Sequence, residues 1–190
     1  MLLFVGRIDR IKGTHVLLQA LQFIKTPLKV VIIGPAWDLE YVREIEEMSE
    51  TINRVGLHSV AFMGEMSSTA LVPWYQKACI LVCPYLYETH SNVVREALAC
   101  GTPVVSTGSH LMENCSDGIF LAQRNPKDLA DIINSLFVIS TIFRFSNLDL
   151  PQIKKRSLGD YDIQASIPLS RLMRMCHLKD LELRELPLKN

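Results

Sequence analysis

Two glutamates, Glu88 and Glu96, stand eight positions apart in the stretch YETHSNVVREALACG, residues 87–101. A carboxylate accepts two hydroxyl hydrogen bonds at once, so such a pair could grip two sugars. Between them Ser91 or Asn92 can cap a helix that opens near Asn92, leaving its first N–H groups aimed outward. Such a helix start is a ready anion site. A second cluster lies in GRIDRIKG, residues 6–13, where Arg7 and Lys12 follow Gly6. Arg offers a planar fork of donors and Lys a mobile point charge, a combination that suits a diphosphate. A plainer alternative stays open for both clusters. Arg7 and Lys12 can be solvated loop cations, Glu88 a loop charge, and Glu96 a helix-start carboxylate favoured by the dipole at roughly 0.3–1 kcal/mol. Neither Ser91 nor Asn92 makes a capping box with Glu96, because the box needs the acid three residues after the cap. No GK[ST] closes the first loop, and no GxGxxG occurs.

Six short apolar runs surround these clusters: LLFV (2–5), KVVIIG (29–34), VAFMG (60–64), CILVCP (79–84), PVVST (103–107) and GIFLA (118–122). They read as buried strands, and the stretches between them carry helical period. Helices are predicted over 14–24 with Thr14 as N-cap, over 39–54, and over 67–78 with an interruption at Pro73. Two more are predicted over 92–100, closed by Gly101, and over 126–137, with Pro126 in the first turn. Strands apolar throughout, each followed by a helix, imply an α/β fold: a Rossmann-like, six-stranded parallel sheet with helices on both faces. Ligands of such sheets bind beyond the carboxyl ends of the strands, where Gly6, Gly34, Gly64 and Gly108 lie. The expected domain is 1–137. In the tail, 138–190, the pattern weakens, and Pro168 breaks the helix that Ile163, Ile167, Leu172 and Met175 suggest.

Composition narrows the function classes. With 20 basic and 20 acidic residues the net charge is zero, so no overall field argues for nucleic acid. Any anion site must be local. The five cysteines include no CxxC and the five histidines no HExxH, which argues for free thiols and against a structural metal. MLLFV is followed at once by Arg7, Asp9 and Arg10, too early for a secretory core. The longest apolar run, 132–143, falls short of the about 20 residues that a bilayer crossing needs. The expectation is a soluble, cytoplasmic protein, at most peripheral to a membrane.

Four segments then carry a likeness: GRIDRIKG, FMGEMS followed by LVPWYQKACILVCPY, ETHSNVVREALACGTPVVST, and SDGIFLAQRNPKDLADII. In this order over about residues 2–137 they resemble the donor-binding C-terminal domain of GT-B-fold, GT4-type retaining glycosyltransferases, the glycosyl transferases of group 1. The resemblance implies one half of a GT-B fold, binding a nucleoside-diphosphate sugar for retaining transfer of a hexosyl group. By it Gly6, Arg7 and Lys12 would lie at the diphosphate, and Glu88 would bond hydroxyls of the transferred sugar. Arg7, Lys12 and Glu88 would be the catalytic residues. Glu96 would hold the ribose, the amides near Ser91, Asn92 and Val93 would face the distal phosphate, and Gly64 and Glu65 would lie near the base. No metal or other cofactor is expected. Two segments depart from the pattern: His90-Ser91-Asn92 replaces a Gly-Phe-Gly-like step, and TGSHLMEN (107–114) replaces a Gly-Gly pair. The family's acceptor site lies on an N-terminal domain that this chain does not match. The expected partners are therefore a nucleotide-sugar donor, an acceptor, and an N-terminal GT-B domain on a separate chain or a second copy. A non-catalytic nucleotide-sugar-binding or assembly module, or half of a split enzyme needing a partner chain, is the alternative.

Overall fold

A computed structural model describes residues 1–87, 91–107 and 118–145, with side chains of the last helix described to Val138. Its strands are β1 (Leu2–Val5), β2 (Lys29–Ile33), β3 (Ser59–Phe62), β4 (Ile80–Cys83), β5 (Val104–Ser106) and β6 (Ile119–Leu121). The helices are α1 (Thr14–Ala20), α2 (Leu39–Val55), α3 (Ser68–Lys77), α4 (Asn92–Ala99) and α5 (Pro126–Phe145), and a 3-10 turn, Leu21–Phe23, prolongs α1.

All pairings are parallel, in the order β3-β2-β1-β4-β5-β6. Central β1 pairs Leu2 with Val30 on one side and with Ile80 on the other. Burial explains why the middle strands carry no polar face: Leu2, Leu3, Phe4, Val30, Val31, Ile32, Ile80, Leu81 and Val82 have no accessible surface. Such strands need cover on both sides. Helices α1, α2 and α5 pack together in one layer, and α3 packs on α4 in the other. The direction of travel along the sheet reverses between β3 and β4. Right-handed crossovers therefore put α1 and α2 on one face and α3 and α4 on the other, while α5, after the last strand, packs on α1.

Local chemistry sets the helix ends. Asp38 caps α2, its carboxylate accepting the Tyr41 amide at 3.1 Å, and the apolar face of α2 buries Tyr41 and Ile45. Ser67 caps α3 by accepting the Ala70 amide at 3.4 Å. Gly101, in the left-handed region at φ 81°, closes α4. Its amide bonds the Leu98 carbonyl at 3.0 Å while Thr102 N–H bonds the Ala97 carbonyl at 2.8 Å, the paired closure that only a left-handed residue allows.

Three boundaries differ from the sequence reading. Thr14 is the first helical residue rather than the N-cap, and Gly13 stands at the cap in the left-handed region, φ 68°. Pro73 lies inside an uninterrupted α3. It is exposed on the helix surface, so the carbonyl deprived of its N–H can turn to water. Helix α5 continues past Phe137 to Phe145. Two of its polar residues find backbone partners: the Ser135 hydroxyl donates to the Asp131 carbonyl at 2.9 Å within the helix, and the Asn134 amide donates to the Phe23 carbonyl at 3.2 Å. No helix among the described residues is long and apolar enough to cross a membrane.

Candidate functional site

Strand order reverses at the boundary between β1 and β4, and open parallel sheets bind ligands in the crevice beyond that boundary. The two loops that flank it are GRIDRIKG after β1 and the chain from Pro84 onward after β4. They are joined directly. The Leu86 amide donates to the Ile11 carbonyl at 2.7 Å. Gly13 lies so close to the other loop that a Cβ there would sit 2.1 Å from the Pro84 carbonyl oxygen. No L residue with a side chain fits that approach at φ 68°.

Asp9 organises the first loop, a role the sequence reading did not assign. Only 7% exposed, it accepts the Lys12 amide through Oδ1 at 2.9 Å and pairs through Oδ2 with Arg7 Nε at 3.1 Å. The available signal was an Asp three residues before Lys12, the spacing at which Asp side chains bond backbone N–H groups in turns. The two cations then diverge. Arg7 lies over the Trp37 ring at 5.1 Å, on the β2 side, and Lys12 Nζ lies 4.3 Å from the centre of the Tyr85 ring, on the β4 side. Arg7 keeps donor capacity beyond these contacts, since a guanidinium has five N–H groups. Tyr85 is itself fixed: 1% exposed, it donates to the Val5 carbonyl at 3.4 Å, and its own carbonyl accepts the Thr107 hydroxyl at 2.8 Å.

The loop after β4 leads to α4. Ser91 is the N-cap of this helix, and its hydroxyl oxygen accepts the Val94 amide at 3.4 Å. That settles which of the two candidates caps the helix. Among the described residues the amides of Asn92 and Val93 have no partner, so they remain available to an anion. Glu96 sits one turn further in, half-buried, and its Oε2 accepts the Tyr75 hydroxyl of α3 at 2.9 Å. Burial, with the Glu96 carboxylate beside it, pushes the Tyr75 phenol far above its ordinary value. Glu88 lies outside the described residues, as do Gly108, His90 and most of the TGSHLMEN segment.

Gly64 and Glu65 lie at the same carboxyl edge but two strands from the crevice. They are exposed, and the Gly64 carbonyl accepts the Gly34 amide at 2.8 Å. Gly34 is equally constrained, since a Cβ there would meet the Gly6 carbonyl oxygen at 1.9 Å. The loops after β1, β2 and β3 thus form one hydrogen-bonded rim, and Gly6 N–H completes it by donating to the Ile33 carbonyl at 2.9 Å. Arg7 and Lys12 thus follow β1 and the α4 start follows the loop after β4, on the two sides of the crevice, while Glu96 lies one turn inside α4 and the turn at Gly64 stands two strands away. A separate cavity of about 690 Å³ lies between α1 and α2, lined by Leu18, Met48, Ile52 and His58 among others. It has none of the cations or open helix amides, and belongs to the helical layer. Among the described residues no group of three or more His, Cys, Asp or Glu side chains is placed to hold a metal.

A model of the family of glycosyl transferases group 1 matches residues 1–138 of this chain. The chain belongs to that family. As a group 1 glycosyltransferase domain it is 29% identical over 144 residues to a D-inositol 3-phosphate glycosyltransferase of Xylanimonas cellulosilytica, covering 72% of this chain and 33% of that protein. It is 34% identical over 137 residues to an uncharacterised glycosyltransferase of Methanocaldococcus jannaschii, covering 68% of this chain and 34% of that one. Among solved structures it resembles Anabaena HepE in complex with UDP and glucose, with a TM-score of 0.61, 26% identity, and coverage of 72% of this chain and 38% of that chain. The chain spans about a third of the length of the curated relatives it matches. Its sheet and helices are the Rossmann-like fold of these GT-B glycosyltransferases.

Proposed function

We propose that this group 1 glycosyltransferase domain binds a nucleoside-diphosphate hexose and presents it for transfer with retention of anomeric configuration. The observation that carries this reading is the crevice between β1 and β4, flanked by Arg7, Lys12 and the open amides of Asn92 and Val93. As the bond from the anomeric carbon to the diphosphate breaks, its electron pair passes to the leaving phosphate oxygen. Fixed donors aimed at that growing charge lower the barrier and need no metal. Arg7 serves the diphosphate as a fork and Lys12 as a point charge, with the α4 start at the distal phosphate. Glu96 takes the ribose, Glu88 the hydroxyls of the transferred sugar, and the Gly64-Glu65 turn lies toward the base. HepE, bound to UDP and glucose, is a relative of the same fold and lends support to a uridine donor here. The acceptor is held by a second GT-B domain, because transfer requires both reactants in one cleft.

Calorimetric titration with UDP-, GDP- and ADP-glucose tests this reading. One donor is expected to bind in the micromolar range, with Arg7→Ala and Glu88→Ala each weakening it about tenfold or more. No binding by any of the three, or variants indistinguishable from the parent chain, would sink it.

A further inference from the structure

Tyr75 has no part in the ligand contacts assigned above, yet it joins α3 to α4 at two points. Its hydroxyl donates to Glu96 Oε2 at 2.9 Å. Its backbone carbonyl accepts the hydroxyl of Thr102, which follows Gly101 and bonds the Ala97 carbonyl at the end of α4. The ring between these contacts has no accessible surface. A buried tyrosine commonly finds some partner for its hydroxyl, but this partner is an ionisable side chain one turn inside the helix that borders the crevice. A glutamate on a helix surface ordinarily samples several rotamers at a cost of up to about 2 kcal/mol of side-chain entropy when it is ordered. Here one carboxylate oxygen is held in advance, and among the described residues the other, Oε1, has no partner. The phenol stays protonated at any working pH, because burial and the neighbouring carboxylate both resist its ionisation, so it donates to Glu96 throughout.

We propose that Tyr75 is a positioning residue for Glu96: by holding Oε2 it fixes the carboxylate so that Oε1 meets the ribose hydroxyls of a bound nucleoside diphosphate. This rests on the assignment of Glu96 to the ribose under the proposed function. The preorganisation acts on ribose recognition alone, because the diphosphate is held by Arg7, Lys12 and the α4 amides.

The test compares UDP, GDP and ADP with their 2′,3′-dideoxy counterparts, titrated into the parent chain, Glu96→Ala and Tyr75→Phe. Phe keeps the ring and removes only the donor. The parent is expected to favour the ribose form of the nucleotide it binds, and Glu96→Ala to abolish that preference. Tyr75→Phe should narrow the preference by about threefold to tenfold while affinity for the dideoxy form stays unchanged. If the parent shows no ribose preference, or Glu96→Ala keeps it, the assignment of Glu96 fails, and the role of Tyr75 with it. If the preference depends on Glu96 but survives in Tyr75→Phe, the positioning role alone is overturned. A Tyr75→Phe chain that weakens both forms equally also overturns it, since that marks a general structural role. Thr102→Val releases the second point of the clamp without touching the phenol, and serves as the deciding variant should Tyr75→Phe fail to fold. It should narrow the preference in the same direction, and an unchanged preference there counts against the proposal.

Discussion

His15 shows how one residue ties the site loop to the helical layer. It follows the Gly13 cap, and its backbone N–H donates to the Tyr41 hydroxyl at 2.9 Å while its Nδ1 lies 2.7 Å from the same oxygen. Burial lowers the imidazole below its ordinary value, Arg124 and Arg10 add to the effect, and Glu44 partly opposes it. The folded chain therefore resists a proton that the unfolded chain accepts near pH 6.5, so stability is held above that pH and lost as pH falls through it. Thermal melts from about pH 7.5 to 5.5 should show a falling midpoint, and His15→Gln should flatten the slope. An identical slope in the variant would show that other groups govern it. At the same scale, Arg7 and Lys12 were legible as two cations in the loop after β1, because charge and position after a strand are visible in order. Asp9, Trp37, Tyr85 and Tyr75 were not, since each acts on a partner that only folding brings near.

At the scale of elements, the loop after β1 is the part with least freedom. Gly13 is both the cap of α1 and the contact with Pro84, so one residue sets where Lys12 leaves the loop and where α1 begins. Substitution by Ala would combine left-handed strain, about 1–3 kcal/mol, with a backbone clash. Gly13→Ala should therefore lose at least about 2 kcal/mol of stability in urea melts, and also weaken nucleotide binding. A chain of unchanged stability would mean that the two loops part easily. All six strands were readable from their apolar runs, the middle ones most plainly, since a strand buried on both faces has no polar face to blur it. The helix limits were less so. Thr14 has the right chemistry for a cap, but Gly13 alone can make the approach to Pro84. Pro73 breaks a helix in general, yet a surface position lets water take up the orphaned carbonyl.

For the whole molecule, the rim formed by the loops after β1 to β4 rests on a sheet whose middle strands are fully buried, so the site borders the most stable part of the fold. A ligand bound there engages only the native state and stabilises it by mass action. A nucleoside diphosphate at about a hundred times its Kd should add about 2.7 kcal/mol, read as a rise of a few degrees in Tm. In Arg7→Ala the stabilisation at the same concentration should fall to about 1.4 kcal/mol or less; a rise that persists undiminished would put the ligand elsewhere, with the cavity between α1 and α2 as the place to look.

By itself the sequence determined the α/β class, the order of strands and helices, and the family, because apolar periodicity and short motifs are local properties that each segment carries unaided. It also placed two cations after β1 and two carboxylates around the start of α4. Only the tertiary structure decided that the crevice opens between β1 and β4, that Arg7 and Lys12 diverge to opposite sides of it, and that Glu96 is held by Tyr75. Those facts depend on contacts such as Leu86 to Ile11 and Tyr75 to Glu96, between residues 75 and 21 positions apart in the chain. A local pattern holds no record of such contacts, because they arise only when the burial of apolar strands brings distant loops to one edge of the sheet.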